Sequence, residues 1–270
     1  MNRLAHVVRW LPAAYLVLVL AYLLFPLLVI IPLSFGDDEL LRFPPKALSL
    51  RWYEAYFGDS QWMRATALSF QVALMSSVLA TITGSMAAVA LERHHIRAAG
   101  AIRLLITSPM IVPHIFLAVG IFVLAVRFGG VGSVAALVCA HATVALPFVV
   151  LMVSAALRQL DPNLERAARV LGARPLRAFL TATLPGLMPA MISAAIFAFF
   201  ISFDELIIAE FLMAERETLP MRIWADLKLQ LNPTVSAVST LLIAITVFFL
   251  GLAEWMRRRA EAGNQPDNQP

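Results

Sequence analysis

Asp204 and Glu205 are the residues of this sequence best placed to do chemistry, because they interrupt the apolar run from Phe199 to Ile208. Ionisable side chains at membrane depth are costly, and where they occur they mark ion or solute paths. Adjacent carboxylates project in different directions, so one can face a cavity while the other caps a helix or pairs. A cation is the ligand whose charge they would balance. The competing reading is a pair at a membrane boundary, satisfied by water or by Arg216 or Arg222. Ser202 and Phe203 lie just before them and belong to the same candidate group. A second group is Ser108, Pro109 and His114, where Pro109 and Pro113 break another apolar run. Such breaks at membrane depth sit against protein or line a water-filled cavity. His114 either lines that cavity or is a hydrogen-bonded packing residue.

Enzymatic motifs are missing from the sequence. There is no G-x-x-x-x-G-K-[ST] phosphate loop, no H-E-x-x-H and no G-x-S-x-G. The chain therefore has no usual machinery for hydrolysing ATP. His94 and His95 are adjacent and do not share a helix face, so they read as solvated loop residues and not metal ligands. The single cysteine, Cys139, allows neither an internal disulfide nor a cysteine metal cluster.

A polar, arginine-rich island runs from Asp161 to Pro185 between two long apolar stretches. Asp161 can accept a hydrogen bond from a freed backbone N–H, and Pro162 suits a first helical turn. Leu164, Ala167, Ala168 and Leu171 recur at helical spacing and make one thin apolar stripe. Gly172 fits the left-handed residue that ends a helix, and Pro175 can open a second one. Two short helices with a bend are expected, with Arg166, Arg169, Arg174 and Arg177 solvated around them.

The elements that must hold these groups are membrane helices. Apolar residues make up 60% of the 270 residues, charged residues only 14%, and mean hydropathy is +0.80; soluble domains average about 25% charged. Several runs exceed the roughly 20 residues that cross a bilayer as helix. Backbone groups in lipid must be satisfied internally, so the expected fold is an all-α membrane protein. Spans are expected at about 13–35, 65–91, 102–126, 133–157, 186–208 and 235–255. Residues 1–12 and 258–270 form the ends, the latter without order, and 158–185 is an inward loop. The first span is too long for the apolar core of a signal peptide and is read as uncleaved. Gly36 to Arg64 carries Trp52, Tyr53, Tyr56, Phe57 and Trp62, which suit a segment at the interface. Ala80, Gly84 and Ala88 form a small-residue stripe for close helix packing. Placing both termini in the cytoplasm puts 13 of the 21 Lys and Arg inside and 11 of the 17 acidic residues at or beyond the outer side. This obeys the positive-inside rule and turns the arginine island to the cytoplasm. The net charge of +4 is thus a matter of topology, and no nucleic-acid partner is implied.

The island resembles the EAA motif of permease subunits of binding-protein-dependent ABC importers of type I. That pattern is roughly E-A-A, three residues, G, then a hydrophobic residue two before L-P. Ala167, Ala168, Gly172, Leu184 and Pro185 stand at matching positions. The motif glutamate falls on Arg166, with Glu165 just before it, and the hydrophobic position is Ala182. Ser202-Phe203-Asp204-Glu205, Thr218-Leu219-Pro220 and Arg222-Ile223-Trp224 are further similar to the second permease of spermidine/putrescine transport systems. The resemblance covers about residues 65–257 and is strong from 158 to 224. It implies a six-span permease with a cytoplasmic coupling helix between spans 4 and 5, carrying half of a path for a small, cationic solute. The ATPase-coupling residues would be Glu165, Arg166, Ala167, Ala168, Gly172, Ala173 and Pro175. The implied partners are a homologous permease subunit, an ABC ATPase dimer that uses ATP-Mg, a periplasmic substrate-binding protein and the lipid bilayer of a bacterial inner membrane. No cofactor would be bound by this chain. An ABC permease for another solute, or a secondary transporter with Asp204 and Glu205 as proton relay, is the alternative.

Overall fold

The computed structural model describes residues 2–93, 96–229 and 232–263, and among them regular structure is helical. His94 and His95 lie outside the described residues, as do 264–270. The helices in chain order are α1 (Asn2–Ser34), α2 (Arg51–Gly58), α3 (Ser60–Arg93), α4 (Ala99–Thr107), α5 (His114–Arg127), α6 (Val134–Gln159), α7 (Asn163–Val170), α8 (Pro175–Ala178), α9 (Leu184–Phe203), α10 (Ile207–Leu212), α11 (Leu219–Leu229) and α12 (Thr234–Gly263). A 3-10 turn at Ser108–Met110 follows α4, and a π turn at Phe179–Thr183 joins α8 to α9. The chain divides into two compact units, 1–63 with 223–270, and 64–222.

In the first unit α1 packs on α12, and α12 on α2. Most of the apolar stretch Pro12–Ser34 stays exposed within the chain, and only its last turns are covered, with Ser34 buried. A helix apolar on all sides and so little covered by its own chain belongs in lipid or against another membrane helix. The turn after α1 is stitched by Ser49 N–H to Phe35 O (2.7 Å) and Asp37 N–H to Ala47 O (3.2 Å). Ser34 Oγ and Tyr53 Oη, 2.7 Å apart, then fix α2 to the end of α1. Of the aromatic residues in this segment Tyr56 and Trp62 are buried, and their rings meet edge to face at 5.8 Å. Helix α12 continues to Gly263, so residues 258–263 are helical where a tail without order was expected.

The second unit is built around α6. Of its apolar span 61% is buried, against 17% for the span ending in α9. The sequence explains why α3 can approach it so closely. Ala80 and Ala88 are fully buried, and a Cβ placed on Gly84 would lie only 2.8 Å from Val149 Cγ1. The small-residue stripe is thus a packing seam, tightened by Ser76 Oγ donating to Val138 O at 3.1 Å. On its other side α6 packs along α9, and α10 packs on α5.

Among the described residues four helices are long and apolar enough to cross a membrane: Pro12–Ser34, Ser60–Arg93, Val134–Gln159 and Pro175–Phe203. The third expected span is not one straight helix. Ala99–Met110 and His114–Arg127 meet at 103°, a broken span or a re-entrant loop, because Pro109 and Pro113 remove donors on either side of the bend. In the last helix the described apolar run, Thr234–Phe248, is shorter. The fifth span also differs from its expected limits. It starts earlier, at Pro175, and its helix stops at Phe203 instead of 208.

Gly84→Leu should force Val149 aside and cost about 1–3 kcal/mol. Thermal unfolding in detergent should register it as a clear fall in Tm; an unchanged Tm would remove the α3–α6 seam from the account.

Candidate functional site

The island of 161–185 folds as its residues suggest. Asp161 Oδ1 accepts the Asn163 N–H at 2.9 Å and so secures the start of α7. Gly172 has φ +90, the left-handed geometry that ends the helix, and Ala173 N–H bonds back to Ala168 O at 3.0 Å. Pro175 then opens α8. The stripe meets little of its own chain: Leu164 is 54% exposed and Leu171 88%, with Val170 at 87%. Apolar side chains so exposed at a helix end mark a candidate contact surface. Arg166 is exposed and reaches only Asn163 Oδ1 (3.2 Å), whereas Glu165 is half-buried. Its Oε2 accepts a hydrogen bond from Thr183 Oγ1 at 2.9 Å.

The second site lies where α9 stops. Asp204 and Glu205 are not in a helix; they occupy the short break between α9 and α10. Their fates diverge. Glu205 is 6% exposed; its Oε1 accepts the Ile208 N–H at 3.0 Å, and its Oε2 lies 3.1 Å from His114 Nδ1. A buried carboxylate is tolerable only with such partners. Asp204 is exposed, and among the described residues no hydrogen bond or ion pair engages its carboxylate. Ser202 is buried and its Oγ is 2.8 Å from Nδ1 of the buried His141. Phe203 joins Phe70 and Phe199 in an aromatic cluster, with ring centroids 5.2 and 5.7 Å apart.

The structure thus gathers His114, Ser202 and Glu205 with one residue not expected there, His141. Its only sequence signal was a histidine alone in an apolar run. Ser108 and Pro109 are not drawn in by hydrogen bonds: the Ser108 hydroxyl turns back on Leu105 O at 2.8 Å, and Pro109 sits in the 3-10 turn. Arg222 lies 3.5 Å from Glu217, and the nitrogen beside Glu205 Oε2 is Nδ1 of His114. A further cluster went unnoticed in the sequence. Glu92, at the end of α3, receives Arg158 through both carboxylate oxygens (2.8 and 3.0 Å) and Arg103 at 2.7 Å, joining α3, α4 and α6 beside the loop that leads to α7. The three residues are far apart in sequence, which hides them from any local pattern.

Residues 80–262 match the family described as binding-protein-dependent transport system inner membrane component. The chain belongs to this family. It is 32% identical over 255 residues to the putrescine transport system permease protein PotI of Escherichia coli (strain K12), covering 91% of this chain and 90% of that one. It is 30% identical over 247 residues to the spermidine/putrescine transport system permease protein PotC of Haemophilus influenzae, covering 91% and 96%. The fold is similar to a crystal structure of a bacterial ABC transporter involved in the import of the acidic polysaccharide alginate, with TM-score 0.73 and 15% identity over 94% of this chain and 98% of that one. The protein is therefore a permease subunit of an ABC importer, and the secondary-transporter alternative falls away.

In this permease the two carboxylates should separate in a stability measurement. Glu205→Ala leaves His114 Nδ1 and the buried Ile208 N–H without their acceptor and should cost roughly 1–3 kcal/mol. Asp204→Asn, at an exposed position, should stay within about 0.5 kcal/mol. Paired thermal unfolding curves in detergent check this; equal losses would contradict the division.

Proposed function

We propose that this permease forms half of the translocation path for a small polyamine such as putrescine or spermidine, and that a separate ATPase drives it through α7. The observation that carries the coupling is the uncovered apolar stripe beside the left-handed Gly172, on a helix too short to be stable alone. A groove on a soluble subunit would cover Leu164, Val170 and Leu171, while Ala167 and Ala168 let it come close to the backbone. Ala173 and Pro175 shape the exit from that knuckle. Arg166 stands where the family's motif has glutamate, so its exposed guanidinium faces the partner with the opposite charge. ATP-Mg is bound and hydrolysed by that partner; this chain supplies no catalytic residue.

Asp204 is the carboxylate offered to the solute. It is exposed, while Glu205 is committed to His114 and the start of α10. The Phe70, Phe199 and Phe203 rings nearby suit an ammonium group, which aromatic faces attract. The names of the two polyamine-permease relatives point to the same class of solute. Ser108, Pro109 and His114 are proposed to shape the path at the bend between α4 and α5. The working assembly is this chain, a homologous permease, an ATPase dimer and a periplasmic binding protein. In it the chain has six spans, counting the bent pair as one and α12 as the last, with both termini on the cytoplasmic face of a bacterial inner membrane.

Reconstituted into proteoliposomes with those partners, the protein should take up putrescine only when ATP is supplied, without response to a protonophore. Gly172→Val should insert normally yet reduce uptake per ATP hydrolysed by about tenfold, since a β-branched residue cannot hold φ +90. Asp204→Asn should depress uptake and spare assembly. Normal coupling in the first variant, or unchanged uptake kinetics in the second, would refute the corresponding role.

A further inference from the structure

One oxygen of the Glu165 carboxylate is held by its own chain. It is half-buried, turned back on its own chain, and accepts the Thr183 hydroxyl at 2.9 Å, where Thr183 is itself buried. Arg166, one residue on, faces outward. Helix α7 therefore has a solvent side and an anchored side, and Glu165 marks the anchored one. Its anchor is a special piece of backbone. Thr183 is the last residue of the π turn Phe179–Thr183, a rare element that adds a residue of slack to a helix and recurs at functional sites. A second contact lies on the same seam. Leu160, just before α7, sits against Gly186 so tightly that a Cβ there would be 2.8 Å from Leu160 Cδ2. Beyond the π turn α9 continues for 20 residues, about 30 Å, with Pro189 inside it, and ends next to Asp204.

We infer that Glu165 is a positioning residue that clamps α7 to the π turn, so that displacement of α7 is passed along α9 to the carboxylates at its far end. The inference rests on the reading that α7 is the seat of the ATPase, and it moves Glu165 from the ATPase-facing surface to the internal linkage. The hydroxyl of Thr183 is then as necessary as the carboxylate, although Thr183 is buried and can touch no partner. A hydrogen bond to a charged group in a half-dry seam is stronger than a neutral one, which suits a linkage that must carry load.

The test uses the full complex in proteoliposomes, with putrescine uptake and ATP hydrolysis measured together for Glu165→Ala, Thr183→Val, Thr183→Ser and the double variant Glu165→Ala/Thr183→Val. The expected result is normal co-purification of the ATPase and an uptake-to-ATP ratio about tenfold lower for either single change, the loss that one charge-assisted hydrogen bond allows. The double variant should be no worse than the poorer single one, and Thr183→Ser, which keeps the hydroxyl, should restore the ratio. The inference is overturned if Thr183→Val couples normally, if the two losses multiply, or if Glu165→Ala alone releases the ATPase, which would make Glu165 a partner contact. Should Thr183→Val fail to accumulate, Glu165→Ala with the Thr183→Ser rescue decides the matter by the same ratio. Gly172→Val separates the two layers. If it uncouples while the clamp variants do not, only this inference fails; if all couple normally, the seat on α7 fails too.

Discussion

A chain this apolar can keep its backbone dry only as helix, so each place where the helix stops needs a local substitute for the missing hydrogen bonds. In this permease those stops coincide with the groups proposed to function. After α9 the substitute is Glu205, whose carboxylate takes the Ile208 N–H and lies 3.1 Å from His114 Nδ1. After α7 it is the left-handed Gly172 with the bond from Ala173 to Ala168. Between α4 and α5 the two prolines remove donors that would otherwise be orphaned. The breaks are where side chains with charge or freedom to move can sit, and the intact helices hold them in place.

Helix α9 joins two of these breaks, and its surroundings suit a rod under load. One side lies along α6, the most buried helix of its unit. At one end it meets Leu160 and Glu165, and at the other it meets Asp204 and Glu205. The Glu92–Arg103–Arg158 cluster ties the end of α6 to α3 and α4 just before the chain turns into α7. Neighbouring residues divide the labour in both places: Glu165 turns in and Arg166 out, and Glu205 turns in while Asp204 stays open.

Local rules made much of this legible. The cap at Asp161, the turn at Gly172 and the start at Pro175 each follow from the conformational preference of a single residue, and each stands where the sequence places it. The Ala80–Gly84–Ala88 stripe was readable for the same reason, since only spacing along one helix is involved. What stayed hidden depends on contacts between distant elements. Nothing local to His141 announces Ser202, and nothing near Glu92 announces Arg158. The limits of the fifth span were misjudged because hydropathy averages over Asp204 and Glu205 and cannot see a helix end. The aromatic run of Gly36–Arg64 looked interfacial, and within it Tyr56 and Trp62 find one another.

The central claim, that α7 is an inward-facing seat for a nucleotide-hydrolysing subunit, is open to one direct measurement. A cysteine introduced as Leu171→Cys, with Cys139 replaced by serine, would be treated with a short bifunctional cross-linker in inside-out membrane vesicles holding the assembled importer. The account predicts a covalent product with the ATPase whose yield changes when ATP is added. Failure to cross-link, or labelling of that cysteine by an impermeant maleimide from the outer side of intact cells, would contradict it.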